Sequence, residues 1–177
     1  MDIRPQFSTH QSSSMSTVAI PESLLPLVNF LNNLDQRVPL EGLRKHLVEL
    51  KVTAEDLKAF MHFGETTYSR NLICENTWFE LLCICWKNGQ ESLIHDHAHS
   101  TCGLRVIKGG GVETTFELNA SGKVVPAEQC VLSEGEVCCT QDSDIHQVSN
   151  NQADGADLVT LHIYSPPLRS MQTWEKE

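Results

Sequence analysis

Two histidine patterns decide the fold of this chain: NGQESLIHDHAHSTCGLRVIKGG over residues 88–110, and GEVCCTQDSDIHQVSN over residues 135–150. In the first, His95 and His97 are separated by one residue. Residues two apart in an extended strand point to the same face, so both rings can enter one cavity while Asp96 points away. A later strand can bring His146 to the same place. We therefore predict a divalent metal held by three histidines.

The protein ligands of such a site carry no negative charge. Three neutral imidazoles bind a metal ion without any protein carboxylate among the ligands, so an anionic ligand is left to the substrate. The open positions on the metal would then suit a small molecule that carries its own negative charge.

The composition limits the class of partner. The chain has 177 residues, 40% of them hydrophobic and 20% charged, which fits one globular domain. Its net charge of −10 argues against a nucleic acid or an anionic membrane as partner. We expect no signal peptide, because the first residues lack its basic and apolar blocks, and no apolar run approaches the ~18 residues of a membrane span. We expect a cytoplasmic monomer that acts on a small molecule.

The chain divides into three regions. Residues 1–20 are rich in serine and predict a mobile tail, and residues 21–177 predict one domain. Within it, 21–66 form a helical cap and 67–167 a β-barrel. Helical periodicity predicts helices over 21–34 and 39–50, and a third helix after Thr53.

The barrel region reads as short strands rich in β-branched, aromatic and cysteine residues, divided by glycine-containing turns. We predict strands over 68–74, 78–87, 93–97, 103–107, 112–118, 128–132, 136–140, 146–148 and 157–165. The fold class is therefore mainly β, an antiparallel barrel or sandwich.

The seven cysteines do not form a framework. Their number is odd and no C-x2-C spacing is present, so neither a disulfide scaffold nor a zinc ribbon is expected. Most would be small buried residues in strands. Cys102 differs because it lies within the first histidine pattern.

The two patterns resemble the two motifs of the cupin superfamily, whose fold is a jelly-roll barrel. Gly89, Gly109, Gly135 and Asn150 keep the spacing of those motifs. Cys102, however, stands where the first motif usually has a glutamate ligand. Gln141 and Ser143 stand where proline and glycine are common.

A wider set of residues resembles one cupin family, cysteine dioxygenase. It comprises the stretches YSRNL over 68–72, HDHAHSTC over 95–102 and LHIYSPP over 161–167. The resemblance implies Fe(II) held by His95, His97 and His146. It also implies substrate binding by Arg70 and Tyr68, and catalytic roles for Tyr164, His162 and Cys102. In the family, the counterparts of Cys102 and Tyr164 can form a thioether cross-link.

The implied reaction oxidises the thiol of free L-cysteine with O₂ to cysteine sulfinic acid. Arg70 offers a planar fork of donors to the substrate carboxylate. Thr160, His162 and Tyr164 alternate along one strand and would share the face that looks into the barrel.

Other interpretations stay open at this stage. Arg70 could simply pair with a carboxylate such as Glu80, Cys102 could remain a buried thiol, and His99 could be a further ligand. The substrate could instead be 3-mercaptopropionate, although that branch generally has glutamine at the position of Arg70. A non-catalytic cupin that binds a metal or a small ligand is the alternative from another class.

Overall fold

The structure is a computed structural model that describes residues 18–142 and 144–175. Most of the predicted tail, and Ser143 of the second histidine pattern, lie outside the described residues. Helices precede the strands along the chain, as predicted from the change in sequence periodicity.

Two α-helices form the cap, α1 (Leu25–Asn32) and α2 (Leu40–Glu49), with a 3-10 turn at Glu22–Leu24 before α1. Leu27, Val28 and Leu31 of α1 are buried, and so are Leu43 and Leu47 of α2. Each helix thus buries one stripe of apolar residues, while Leu25 of α1 and Val48 of α2 are exposed.

The helix predicted after Thr53 is not a regular α-helix. Thr53 does begin a turn, since its backbone N–H donates to the carboxylate of Asp56 at 2.9 Å and its hydroxyl accepts from the Asp56 N–H at 3.3 Å. After this turn only the 3-10 helix Lys58–Phe60 follows. Leu57 and Phe60 are buried at a spacing of three, which fits the tighter 3-10 geometry.

The rest of the described chain forms ten strands, all paired antiparallel. Their bounds are β1 (Ser69–Glu75), β2 (Glu80–Trp86), β3 (Ile94–His95), β4 (Thr101–Lys108), β5 (Gly111–Leu118), β6 (Val124–Leu132), β7 (Val137–Gln141), β8 (Ile145–Ser149), β9 (Leu158–Ser165) and β10 (Thr173–Trp174). The first sheet has the order β1-β2-β9-β4-β7, and the second has the order β10-β3-β8-β5-β6. Nine strands match predicted ones within a few residues. β10, which pairs with β3, was not predicted.

Strand β9 lies at the centre of the first sheet, between β2 and β4, and is buried along its whole length. Val159, Leu161 and Ile163 face the helices and belong to the same apolar core as Leu43 and Leu47. Thr160, His162 and Tyr164 point the other way, toward the second sheet. The helical cap therefore covers one face of the first sheet and leaves the other free for polar side chains.

Close packing of α2 on β4 requires a glycine. A Cβ at Gly103 would lie 2.6 Å from Leu47 Cδ1 and 2.8 Å from Leu43 Cδ2. Full burial of each leucine contributes roughly 1.5–3 kcal/mol, so the contact that Gly103 permits is a substantial part of the cap's attachment.

The predicted fold class is confirmed: the protein is mainly β, with two antiparallel sheets of the jelly-roll type and a small group of helices before them. No helix between residues 18 and 175, position 143 aside, combines the length and hydropathy needed to cross a bilayer. All seven cysteines are free thiols, of which three are buried and only Cys130 is exposed.

Candidate metal centre and active site

The three predicted histidines lie together at one end of the second sheet. His95 in β3 is directly paired with His146 in β8. His97 lies beyond the end of β3, because the chain turns at Ala98 and His99, both of which have positive φ angles. The predicted strand over 93–97 is therefore too long. Even so, one ring nitrogen from each of the three buried histidines lies within 4.8 Å of the others.

Each imidazole is fixed from behind by an oxygen acceptor at Nδ1. His95 Nδ1 lies 2.8 Å from the Leu93 carbonyl oxygen. His97 Nδ1 lies 3.2 Å from Asp144 Oδ1, and His146 Nδ1 lies 2.7 Å from Glu113 Oε1. A carbonyl or carboxylate oxygen only accepts, so all three Nδ1 atoms carry the proton.

The Nε2 atoms of neutral rings must then present lone pairs toward one another. His146 Nε2 and His97 Nε2 are only 3.1 Å apart. Burial, and next the neighbouring His146, lower the pKa of His95 to about 4, which keeps this ring neutral near pH 7. Three converging lone pairs on neutral imidazoles suit a divalent transition metal, so the donor set fits a metal ion.

Two carboxylates stand directly behind the ligands, and the sequence analysis missed both. Burial by itself raises the pKa of Glu113, but the hydrogen bond that it accepts from His146 outweighs burial and keeps that pKa below its usual value. His97 does the same for Asp144, against the same effect of burial. Negative charge is thus present one hydrogen bond from the metal position, although no carboxylate belongs to the predicted ligand set.

A sequence signal for these carboxylates existed. Asp144 lies two residues before His146. In the register of β5 against β8, Thr115 is opposite His146, and Glu113 is two residues from Thr115 on the same face. An acidic residue on the strand face that looks into the barrel is costly unless it has a partner, which makes Glu113 a recognisable candidate.

The first sheet supplies the opposite wall of the site. Arg70 in β1 lies with its guanidinium carbon 5.2 Å from the ring centroid of Tyr164. Its Nη2 also lies 3.3 Å from Glu80 Oε1, so the ion pair left open by the sequence is present. Glu80 is buried and accepts in addition from the backbone N–H of Leu168 at 2.9 Å.

A line of hydrogen bonds crosses the buried polar face of this sheet. Trp86 Nε1 donates to Thr160 Oγ1 at 2.9 Å. Thr160 Oγ1 lies 2.9 Å from His162 Nε2, and His162 Nδ1 lies 3.2 Å from Tyr164 Oη. Burial, followed by the charge of Arg70, holds the pKa of His162 well below its usual value. His162 is therefore a neutral ring whose two nitrogens both have partners.

Cys102 and Tyr164 are neighbours across two strands. Cys102 in β4 is directly opposite Tyr164 in β9, and both side chains are buried. Burial is the main reason that the pKa values of both groups lie well above their ordinary values. The two groups are thus an un-ionised thiol and phenol in contact range of each other.

The histidines and the first sheet enclose a small cavity of about 10 Å³, which is about enough for one water molecule. Tyr68 and Arg70 line this cavity and also a wider surface cleft of about 490 Å³. Tyr68 stacks on Trp86 with ring centroids 4.3 Å apart. Tyr68 and Arg70 therefore stand between the metal-side cavity and the surface.

Comparison with known proteins identifies the family. A family model described as cysteine dioxygenase type I matches residues 12–177. The chain belongs to the cysteine dioxygenase type I family. The cysteine dioxygenase type 1 of Danio rerio is 32% identical over 163 residues, which cover 88% of this chain and 81% of that protein. The Homo sapiens protein of the same name is 29% identical over 162 residues, covering 88% and 80%.

Solved structures support the fold alone, because their sequence identities are low. The protein TT1209 from Thermus thermophilus has a TM-score of 0.54 and 17% identity, and covers 66% of this chain and 99% of that one. A protein from Klebsiella pneumoniae with a double-stranded β-helix domain also has a TM-score of 0.54, with 16% identity, and covers 72% and 94%.

The family membership and the histidine cluster confirm the prediction of a dioxygenase with a cupin jelly roll and a three-histidine metal site. All eight predicted site residues lie on the two facing sheets or directly beside them. His99, the further ligand considered from the sequence, is exposed and is not part of the cluster.

Proposed function

We propose that this chain oxidises the thiol of free L-cysteine to cysteine sulfinic acid, with O₂ as the second substrate and Fe(II) as the metal. The observation that carries the proposal is the arrangement of charge across one cavity. His95 and His146 line the cavity and form one cluster with His97, and Arg70 lines the same cavity from the first sheet. A substrate with a thiolate at one end and a carboxylate at the other complements both walls.

His95, His97 and His146 would hold the iron through Nε2. When bound, Fe(II) lowers the pKa of the thiol and provides positions for the substrate and O₂. The residues of the chain fix the direction of these ligands: the Leu93 carbonyl, Asp144 and Glu113 accept from the three Nδ1–H groups. Outer partners of this kind set the tautomer and raise the basicity of a metal-binding histidine.

Arg70 would bind the substrate carboxylate, with help from the Tyr68 hydroxyl. The ion pair with Glu80 engages only the Nη2 end, and a guanidinium has five N–H donors, so carboxylate binding and the ion pair are compatible. Glu80 then serves to hold Arg70 in the cavity wall. Because an amino acid is larger than the cavity of about 10 Å³, we expect Tyr68 and Arg70 to move when substrate reaches it from the surface cleft.

Tyr164, His162 and Cys102 would act beside the reacting sulfur. Tyr164 and His162 line the cavity together with His95 and His146. The hydroxyl of Tyr164 can donate a hydrogen bond to oxygen as charge develops on it, and His162 positions that hydroxyl. Burial keeps water away from this hydrogen bond.

We further propose a thioether between Cys102 Sγ and the ring of Tyr164. Their direct cross-strand register and shared burial support it. The bond replaces an S–H and a ring C–H, with loss of two electrons and two protons to O₂ as oxidant. The protein would act in the cytoplasm as a monomer, with cysteine and O₂ as its small-molecule partners.

The test is O₂ consumption by iron-loaded protein with L-cysteine, 3-mercaptopropionate and cysteamine in parallel. We expect cysteine sulfinic acid in equal molar amount to the O₂ consumed. Cysteamine has no carboxylate for Arg70, and we expect its turnover to be at least tenfold lower. Mass spectrometry of a tryptic digest tests the thioether, as a loss of two hydrogens from the joined peptides of Cys102 and Tyr164.

Sulfinic acid from 3-mercaptopropionate but not from cysteine would contradict the proposed substrate and the role of Arg70. Absence of turnover with every thiol, in protein shown to contain iron, would favour the non-catalytic cupin instead.

A further inference from the structure

We propose that Val38, in the segment between α1 and α2, holds the ends of β4 and β9 together and thereby keeps the Cys102 thiol against the Tyr164 ring. Thr101 and Ser165, which bind Val38 from the two strands, are the positioning residues. The consequence for the thioether rests on the proposed function. The contact itself does not, because its effect on the thiol can be measured in protein without a thioether.

The backbone of Val38 forms a hydrogen bond to each strand. Its N–H donates to Ser165 Oγ in β9 at 2.9 Å, and its carbonyl oxygen accepts from Thr101 Oγ1 in β4 at 3.1 Å. Thr101 and Ser165 are fully buried, so water does not compete for these bonds. The Val38 side chain is also buried, in the same apolar core as Leu43 of α2. One anchored residue of the cap therefore joins two neighbouring strands. We call Val38 with the Thr101 and Ser165 hydroxyls the Val38 clamp.

Each hydroxyl of the Val38 clamp both accepts and donates. Arg37 Nε donates to Thr101 Oγ1 at 2.9 Å, so the single proton of Thr101 goes to the Val38 carbonyl oxygen. Ser165 Oγ accepts from the Val38 N–H and donates its own proton to the Trp78 carbonyl oxygen at 2.6 Å. Removal of either hydroxyl would leave a buried backbone group of Val38 without its partner, which is the costly way to lose a hydrogen bond.

The Val38 clamp lies one residue from the proposed thioether. In the register of β4 against β9, Thr101 is opposite Ser165 at the end of the ladder, and the next pair is Cys102 opposite Tyr164. Neighbouring residues of a strand point to opposite faces, so Thr101 and Ser165 face the cap while Cys102 and Tyr164 face the cavity. The end of a ladder opens more readily than its middle. The Val38 clamp therefore closes, from the cap side, the end at which the sulfur and the ring meet.

Formation of the thioether requires this end to stay closed. The bond joins Cys102 Sγ to a ring carbon of Tyr164, and the S–H and C–H hydrogens leave as two protons and two electrons, which O₂ accepts. Two groups react fast only when they are held in the correct orientation, and an open strand end would separate them. Loss of one hydroxyl should shift the opening equilibrium by roughly tenfold to a hundredfold, which is the effect of leaving a buried group unpartnered.

Alkylation of Cys102 measures the opening. Protein purified from iron-depleted cells and loaded with Zn²⁺ keeps Cys102 as a thiol, which N-ethylmaleimide labels only when the strand end opens. We expect Thr101→Val and Ser165→Ala to raise the labelling rate of Cys102 roughly tenfold or more. Thr101→Ser keeps the hydroxyl and should restore the wild-type rate. Tandem mass spectrometry measures the labelling of each cysteine separately.

Two controls separate a local effect from general destabilisation. Cys83 and Cys85 are buried in β2, and global unfolding would raise their labelling together with that of Cys102. Arg105→Gln is the matched variant, because Arg105 Nη1 donates to the Leu47 carbonyl oxygen at 2.5 Å and so links the same strand to the same cap. We expect this variant to leave the labelling of Cys102 relative to Cys83 unchanged.

The rate of thioether formation gives a second measurement in the same variants. After addition of Fe(II), cysteine and O₂, mass spectrometry follows the loss of two hydrogens from the joined peptides. We expect the rate to fall roughly tenfold or more in Thr101→Val and Ser165→Ala, and to recover in Thr101→Ser. Arg105→Gln should form the bond at the wild-type rate.

Unchanged labelling of Cys102 in both Thr101→Val and Ser165→Ala would overturn the inference, and so would an equal rise at Cys83 and Cys85. If the labelling changes as expected but the wild type forms no thioether, the proposed thioether fails and the Val38 clamp stands. If Thr101→Val does not fold, Ser165→Ala tests the same contact from the other strand.

Discussion

The two sheets contribute to the site in different ways. The second sheet holds three histidines, each fixed through Nδ1 by an oxygen acceptor, and two of these acceptors are carboxylates. The first sheet contributes a line of uncharged side chains joined by hydrogen bonds, and Arg70 lies beside them. Metal binding and substrate binding are therefore built on separate sheets. Substitutions that weaken substrate binding on the first sheet should leave metal binding on the second sheet largely intact, and the reverse should also hold.

The largest effect is expected from removing a ligand on the second sheet. His146→Ala removes one of three converging nitrogens and leaves Glu113 buried without its partner. We expect metal affinity to fall by more than the roughly 100-fold that outer partners can cost, with loss of turnover. Metal content after dialysis, measured by mass spectrometry, checks this.

The matched control is His99→Asn, because His99 is exposed and asparagine tolerates its positive φ of 71°. Equal loss of metal in the control would contradict the three-histidine assignment.

On the first sheet, Arg70→Gln removes the charge that faces the metal cavity without touching a ligand. Loss of a charge-assisted pair of hydrogen bonds costs about 3 kcal/mol, or about a hundredfold in kcat/KM for cysteine. Metal content should stay at the wild-type level. Steady-state O₂ consumption and metal analysis on the same preparation check both statements, and a parallel loss of metal would break the division between the sheets.

Glu113→Ala tests whether the carboxylates behind the ligands matter. Removing the acceptor of His146 Nδ1–H should lower metal affinity by roughly tenfold to 100-fold, and Glu113→Gln, which keeps an acceptor oxygen, should lower it less. Competition with a chelator measures the affinity. Unchanged affinity in both variants would show that the ring is oriented by packing alone.

The smallest effect concerns pH and stability through His162. Its pKa in the folded chain is well below the usual value, whereas in the unfolded chain it is near 6.5. Below about pH 6.5, His162 is protonated in the unfolded chain but not in the folded chain. The free energy of unfolding therefore falls as the pH falls. The slope due to one such group is about 1.4 kcal/mol per pH unit.

Urea unfolding of metal-free wild type and His162→Gln between pH 7.5 and 5 checks this. His95, with a folded pKa of about 4, contributes a slope of the same sign in both proteins, so the difference between them isolates His162. Equal slopes would contradict the lowered pKa, because they would mean that His162 takes up its proton equally in the folded and unfolded chains.

Sequence periodicity predicted most of the fold because it follows from local patterns. Val159, Leu161 and Ile163 alternate with Thr160, His162 and Tyr164, and this period of two placed both faces of β9 correctly. The missed strand β10 is only two residues long, and it is a strand only because β3 offers it a partner. The strand predicted over 93–97 ended early since Ala98 and His99 adopt positive φ angles, which no propensity of these residues indicates.

The sequence by itself determined the ligand types, because the spacing of His95, His97 and His146 and the residues that resemble the cysteine dioxygenase family are local facts. Only the tertiary structure decided which groups stand behind them. Glu113 and Asp144 reach the imidazoles, and Trp86 reaches Thr160, through pairing of strands distant in sequence. A hydrogen bond depends on distances of a few tenths of an ångström, and such distances are set by sheet register and packing rather than by the order of residues.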